Sequence, residues 1–135
     1  MKNMTKRTVS QTIETHDSEL HESFLDELAD ILNAEQQLMK ALPKMAGSAM
    51  SEQLSRAFES HLLETEYHVT RLEQVFASLD EPTQSKQCKA MKGLLAEGDE
   101  IMQEMKGSSA LDAALIANAQ KVEHYEIAAY GTLCS

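Results

Sequence analysis

"AFESHLLETEYHVTRLEQVF", residues 57–76, carries two patterns at once. Apolar residues recur at Ala57, Phe58, Leu62, Val69, Leu72, Val75 and Phe76 in steps of three and four, the period of an amphipathic helix. His61, Glu64 and His68 stand at i, i+3 and i+7, so all three project from one face. Ala57, Leu72 and Val75 share that face, which places it at least partly inside the protein. A carboxylate and an imidazole one turn apart are the unit from which helical bundles build metal sites. Neutral imidazole and carboxylate oxygen suit iron, manganese or zinc. The same pair also makes an intrahelical hydrogen bond near a surface, worth roughly a few tenths of a kcal/mol. Glu59, Glu66 and Glu73 fall outside the face and read as solvated charges.

Outward from this stretch the chain reads as helix on both sides. Ser51 caps the helix through 57–76, and "DEPTQS" (80–85) closes it with turn chemistry. Ahead of it, Ser18 is placed to cap a first helix, with Glu19 and Glu22 in its early turns. Leu25, Leu28, Ile31, Leu32, Leu38, Met39 and Leu42 form its stripe, and Pro43 and Gly47 bring it to a close. Residues 1–17 are polar and read as a flexible tail, leaving 18–135 as one helical domain. A third segment, about 86–105, has a stripe through Cys88, Met91, Leu94, Leu95, Ile101 and Met102, weakened by Gly93 and Gly98. "KGSS" (106–109) breaks it, and Ser108 or Ser109 is placed to cap a fourth helix. The first two helices pair as an antiparallel hairpin, and the third has the length of a crossover.

The residues that interrupt the stripes are the informative ones. Glu35 occupies a slot of the first helix between Ile31/Leu32 and Leu38/Met39 where the period calls for an apolar group. Such a Glu either lies on the edge of the stripe and reaches water, or it turns inward and needs a partner. In the fourth helix Glu126 falls within the stripe Leu115, Ala119, Val122, Ala129 and Leu133. Glu123 falls within the adjacent stripe of Ile116, Ala119, Ile127 and Tyr130. His124 points away as a surface residue, and Tyr125 and Tyr130 read as packing groups with hydrogen-bonded hydroxyls. Inward acids on three helices, with histidine at matching spacing on one, point to a carboxylate-bridged di-metal site.

Composition sets the outer limits. The chain has 135 residues, enough for one domain, with 42% hydrophobic and only 4% aromatic residues. A formal charge of -10 argues against nucleic acid and against anionic membrane surfaces. No segment has the apolar length of a membrane span, and the N-terminus lacks the apolar core of a secretory signal. Cys88 and Cys134 form no Cys-x-x-Cys pair, so the expectation is a cytoplasmic protein with two free thiols.

Four stretches, "AEQQLMKALPKMA" (34–46), "AFESHLLETEYHVTRLEQVF" (57–76), "CKAMKGLLAEGDEI" (88–101) and "ALIANAQKVEHYEIAAYGTL" (114–133), resemble the YciF/YciE-like stress-protein family. The resemblance runs from about residue 24 to 133. It implies an all-α, ferritin-like antiparallel bundle, usually dimeric, with an iron or manganese centre. Glu35 matches the family's first-helix acid, His61 and Glu64 match its "HLEET" segment, and Glu123 and Glu126 match the third bundle helix. Leu63 stands where an acid is common, and His68 where Gln is frequent. Members continue past "YGTL" into a further long helix with more acids. The expectation is therefore an open bundle, its last helix absent or supplied by a partner, with a long apolar groove.

Two functions follow as expectations. One is a metal-binding protein that handles iron, oxygen or peroxide under stress, with Glu35, His61, Glu64, Glu123 and Glu126 as ligands. The other is a non-enzymatic helical module for stress or interaction, whose inward acids pair with basic side chains or water.

Overall fold

The computed structural model describes the backbone of residues 9–135 and the side chains from Asp17 onward. Its elements are helices, α1 (Val9–Ser48), α2 (Glu52–Ser78), α3 (Lys89–Glu104) and α4 (Leu111–Cys134). At 1.5 Å per residue α1 is about 60 Å long. It begins ahead of Ser18, so that serine lies within the helix instead of capping it. Residues 1–8 of the expected tail lie outside the described residues. The expected close at Pro43 and Gly47 holds to within a residue, since α1 ends at Ser48 with Pro43 inside it. Pro43 is exposed and removes only one hydrogen-bond donor, while Met45 and Ala46 are buried and hold the next turn against the core.

The hydrophobic period explains the packing. Leu28, Ala29, Ile31, Leu32, Ala34, Leu38 and Leu42 of α1 are buried along most of the helix, which makes it the central element. Helices α2, α3 and α4 all pack against it, and α3 also packs on α4. Phe58, Val69, Leu72 and Phe76 supply the face of α2, and Leu111, Leu115 and Val122 that of α4.

Helices α2 and α4 run side by side in the same direction and leave a groove between them. One end of it, about 240 Å³, is lined by Leu54, Phe58, His61, Ile116 and Glu123. Its middle, about 370 Å³, lies between His61, Glu64 and His68 on one side and Glu123, Glu126 and Tyr130 on the other. The far end, about 410 Å³, lies between Leu72, Val75, Tyr130 and Leu133. The adjacent apolar stripe of α4 is accordingly not covered, with Ile116 and Ile127 exposed at 44% and 69%.

Local polar contacts fix the helix ends. The Ser51 hydroxyl accepts the Leu54 amide and caps α2. Asp112, in the first turn of α4, accepts the Met50 and Ser51 amides with its two oxygens, both at 2.8 Å, and ties the α1–α2 corner to α4. Helix α2 ends in a Schellman arrangement. The Glu81 amide donates to Phe76 O and the Asp80 amide to Ala77 O, with Asp80 at φ 54°. Helix α4 has Ala110 at its cap position with no side-chain bond, so neither expected serine caps it. The Ser108 hydroxyl instead accepts the Ala110 amide at 3.1 Å.

Between α2 and α3 the chain is strapped across the middle of α1. The Lys86 amide donates to Ala29 O, and the Cys88 amide to Asn33 Oδ1 at 2.8 Å. Gln37 donates to both Cys88 O and Asn33 Oδ1. On the other side of this strap, α3 meets α4 closely at Gly98. A Cβ there would lie 2.8 Å from Asn118 Oδ1, while the Asn118 amide group is held by Leu94 O at 2.9 Å. Gly98→Ala gains about 1 kcal/mol of helix propensity but overpacks this contact by about 1–3 kcal/mol. The expected outcome in urea denaturation is a less stable protein, with Asn118→Ala restoring the loss. A Gly98→Ala protein more stable than the parent would show that the contact is not tight.

Candidate metal centre

Glu35 is held at the middle of α1 by the buried residues on either side of it, and its exposure is 0%. Its Oε2 lies 3.0 Å from His68 Nδ1, and its Oε1 has no hydrogen-bond partner. Glu126, on the buried face of α4, is 7% exposed, and its Oε1 also lacks a hydrogen-bond partner. His61 Nε2 approaches that oxygen at 3.5 Å, a charge contact without hydrogen-bond geometry. One ligand atom each from Glu35, His68 and Glu126 lie within 4.8 Å of one another. Tyr130 closes the cluster, its ring edge-on to His68 at 5.8 Å and its hydroxyl buried without a partner.

Burial governs the protonation state. It pushes Glu35 up to about 9, and the neighbouring Glu126 carboxylate adds to the rise. Burial also pushes Glu126 upward, but its contacts with His61 and Glu35 outweigh that and hold it below the ordinary carboxylate range. The same Glu126 contact raises His61 against the opposing effect of burial, helped by Glu123 and Glu64. Near neutral pH the pair therefore holds one proton on Glu35 and one negative charge on Glu126. Burial raises the Tyr130 phenol too, as do the charges of Glu35 and Glu126.

Of the five residues expected from the sequence, the structure brings Glu35, His61 and Glu126 together. Glu64 and Glu123 are exposed, and both line the open middle of the groove beside them. His68 was not among the expected ligands, yet its ring nitrogen is the one that reaches Glu35. The signal for it was present, because His68 lies on the same helical face as His61 and Glu64. The donor set fits iron, manganese or zinc, since two buried carboxylates each offer an oxygen with no other partner beside an imidazole nitrogen. Among the described residues no helix is long and apolar enough to cross a membrane.

An all-α, ferritin-like bundle with acids turned toward its interior is the class this fold and site define. Within it, the chain belongs to the family described as "Domain of unknown function (DUF892)", whose match spans residues 19–135. It is 44% identical to YciF of Escherichia coli (strain K12) over 117 residues, 86% of this chain and 70% of YciF. Two solved structures share the fold. YcfI of Rhodopseudomonas palustris, described as a candidate structural protein, superposes with a TM-score of 0.81 at 49% identity. The E. coli stress protein YciF superposes with a TM-score of 0.79 at 45% identity. Each match spans 84% of this chain and 72% of the other.

Proposed function

We propose that the chain is a stress-associated, ferritin-like protein that holds iron or manganese between α1, α2 and α4. The observation that carries this reading is the pair of buried carboxylates, Glu35 and Glu126. Each has an oxygen without a hydrogen-bond partner, and both converge on His68. Glu35, His68 and Glu126 would hold one ion. His61, with Glu64 and Glu123 at the rim, would serve a second position on the Glu126 side, where the groove is open. A bound iron or manganese supplies the redox chemistry for handling oxygen or peroxide. The protein's own residues orient the ligands, keep water from Glu35 and move the Glu35 proton out as the ion enters. The description of E. coli YciF as a stress protein supports the physiological half of the reading.

Elemental analysis of protein purified after growth with added iron and manganese tests it. The expected content is about one ion per chain or more, lost in Glu35→Ala and in Glu126→Ala. Less than about half an equivalent in the parent protein would overturn the reading.

One observation favours a second reading, a helical stress or interaction module without metal. Glu35 keeps its proton far above the usual range, and His61, raised by its contact with Glu126, stands beside the one acid that is charged. That reading predicts full structural stability in the presence of chelator and a neutral effect of Glu35→Gln.

A further inference from the structure

A second, partly buried network lies beside the centre and is not among the residues placed to hold an ion. The Tyr125 hydroxyl on α4 donates to Asp30 Oδ2 on α1 at 2.7 Å. Cys88 Sγ, at the start of α3, lies 2.9 Å from the same hydroxyl oxygen. The phenolic hydrogen is committed to Asp30, so the thiol hydrogen is the one that points at the phenol oxygen. The chain is thus directional, from thiol to phenol to carboxylate. Cys88 is 1% exposed, whereas Asp30 is half-buried and reaches solvent.

Among the three tyrosines this arrangement is special to Tyr125. A phenol that loses an electron becomes strongly acidic and needs a base at hydrogen-bond distance. Tyr130 has no hydrogen-bond partner for its hydroxyl. Tyr67 is 60% exposed, with the Arg71 guanidinium 5.6 Å from its ring centroid, and a cation there opposes removal of an electron. Tyr125 adjoins Glu126 in the chain, and Asp30 precedes Glu35 by five residues, about 8 Å along α1.

We propose that Cys88, Tyr125 and Asp30 form a relay that draws one-electron oxidising equivalents away from the centre at Glu35 and Glu126 and places them on the Cys88 sulfur. The oxidant is hydroxyl radical, the one-electron product of peroxide and ferrous iron, which takes one electron and one proton and becomes water. Tyr125 gives up the electron, and its phenolic proton passes to the Asp30 carboxylate. The Cys88 S–H bond then breaks and the phenol O–H bond re-forms, leaving a thiyl radical on Cys88. Asp30 releases its proton to solvent, so the net change is a thiol and a hydroxyl radical converted to a thiyl radical and water. The inference rests on the metal reading only for the source of the oxidant.

The test uses freeze-quench electron paramagnetic resonance on the full chain in a Tyr67→Phe background, which removes the exposed phenol. Metal-free protein is oxidised by photogenerated ruthenium(III) polypyridyl, and iron-loaded protein by hydrogen peroxide. Cys88→Ser keeps an oxygen to accept the Met91 amide at the cap of α3 but cannot give up a hydrogen atom to the phenoxyl radical. It is expected to prolong the tyrosyl signal by roughly an order of magnitude. Adding Tyr125→Phe is expected to abolish the signal, and mass spectrometry of the Tyr67→Phe parent should place oxidation on Cys88. An equal signal in the Tyr125→Phe protein, or an unchanged lifetime in Cys88→Ser, overturns the relay. Iron that binds while peroxide leaves Tyr125 and Cys88 untouched also overturns it. A relay that answers ruthenium in a protein that binds no iron would instead overturn the metal reading and leave the hydrogen-atom path standing.

Discussion

Saturating manganese(II) is expected to raise the melting temperature of the metal-free chain by about 10 °C, and chelation to return it to the starting value. An ion that binds the folded state alone at about a hundred times its dissociation constant stabilises it by about 2.7 kcal/mol. A domain of this size shifts by about 4 °C per kcal/mol. The effect is large because Glu35 and Glu126 are costly while metal-free. Each buries an oxygen that no donor satisfies, and burial beside the Glu126 carboxylate forces Glu35 to keep its proton. Glu126→Ala should abolish the response, since Glu126 adjoins both His68 and His61. Glu64→Ala and Glu123→Ala should leave most of it, because these acids are exposed and serve only the open side of the groove. A melting temperature indifferent to manganese and to ferrous iron would show that the cluster is satisfied without an ion.

The contrast between those two groups of acids also marks what was legible in the sequence. Periodicity placed Glu35 and Glu126 on buried stripes because both neighbours of each slot are strongly apolar, and the slot's own character did not matter. It placed Glu123 on a second stripe of α4 by the same logic, and there the structure differs. Ile116 and Ile127 of that stripe are exposed, because α2 leans on α1 and leaves a groove beside α4. An apolar stripe states which side seeks cover but not whether another element reaches it. Helix ends were legible where a side chain makes the cap, as at Ser51, and not where none does, as at the start of α4, where Ala110 takes the cap position. The Asp112 clamp and the Cys88–Tyr125–Asp30 network join residues about 60 and more than 90 positions apart, and no local pattern announces them.

The pH dependence of the metal-free chain carries the second large effect. Glu35 has its folded value raised to about 9 from an ordinary 4.5. Between those values the folded chain keeps a proton that the unfolded chain releases, so stability falls as pH rises through the window. His61 is also raised, and its contribution is likewise lost as pH climbs through its folded value. Glu126 is lowered and works in the opposite sense, but its contribution disappears only on the acid side, as pH falls through its folded value. From pH 6 to 9 the two raised groups act together, and the expected loss is about 2–4 kcal/mol in urea denaturation. Glu35→Gln, which is neutral throughout, should flatten most of that slope and equal or exceed the parent at pH 9. Metal should reverse the sign, because an ion entering the site would have to displace the Glu35 proton, and its affinity should then rise by about tenfold per pH unit for each proton released. A metal-free chain whose stability is level from pH 6 to 9, or a Glu35→Gln slope as steep as the parent's, would mean that Glu35 is ionised in the folded state. The protein would then already hold a compensating positive charge at the cluster, and the cost that a metal ion is proposed to relieve would not exist.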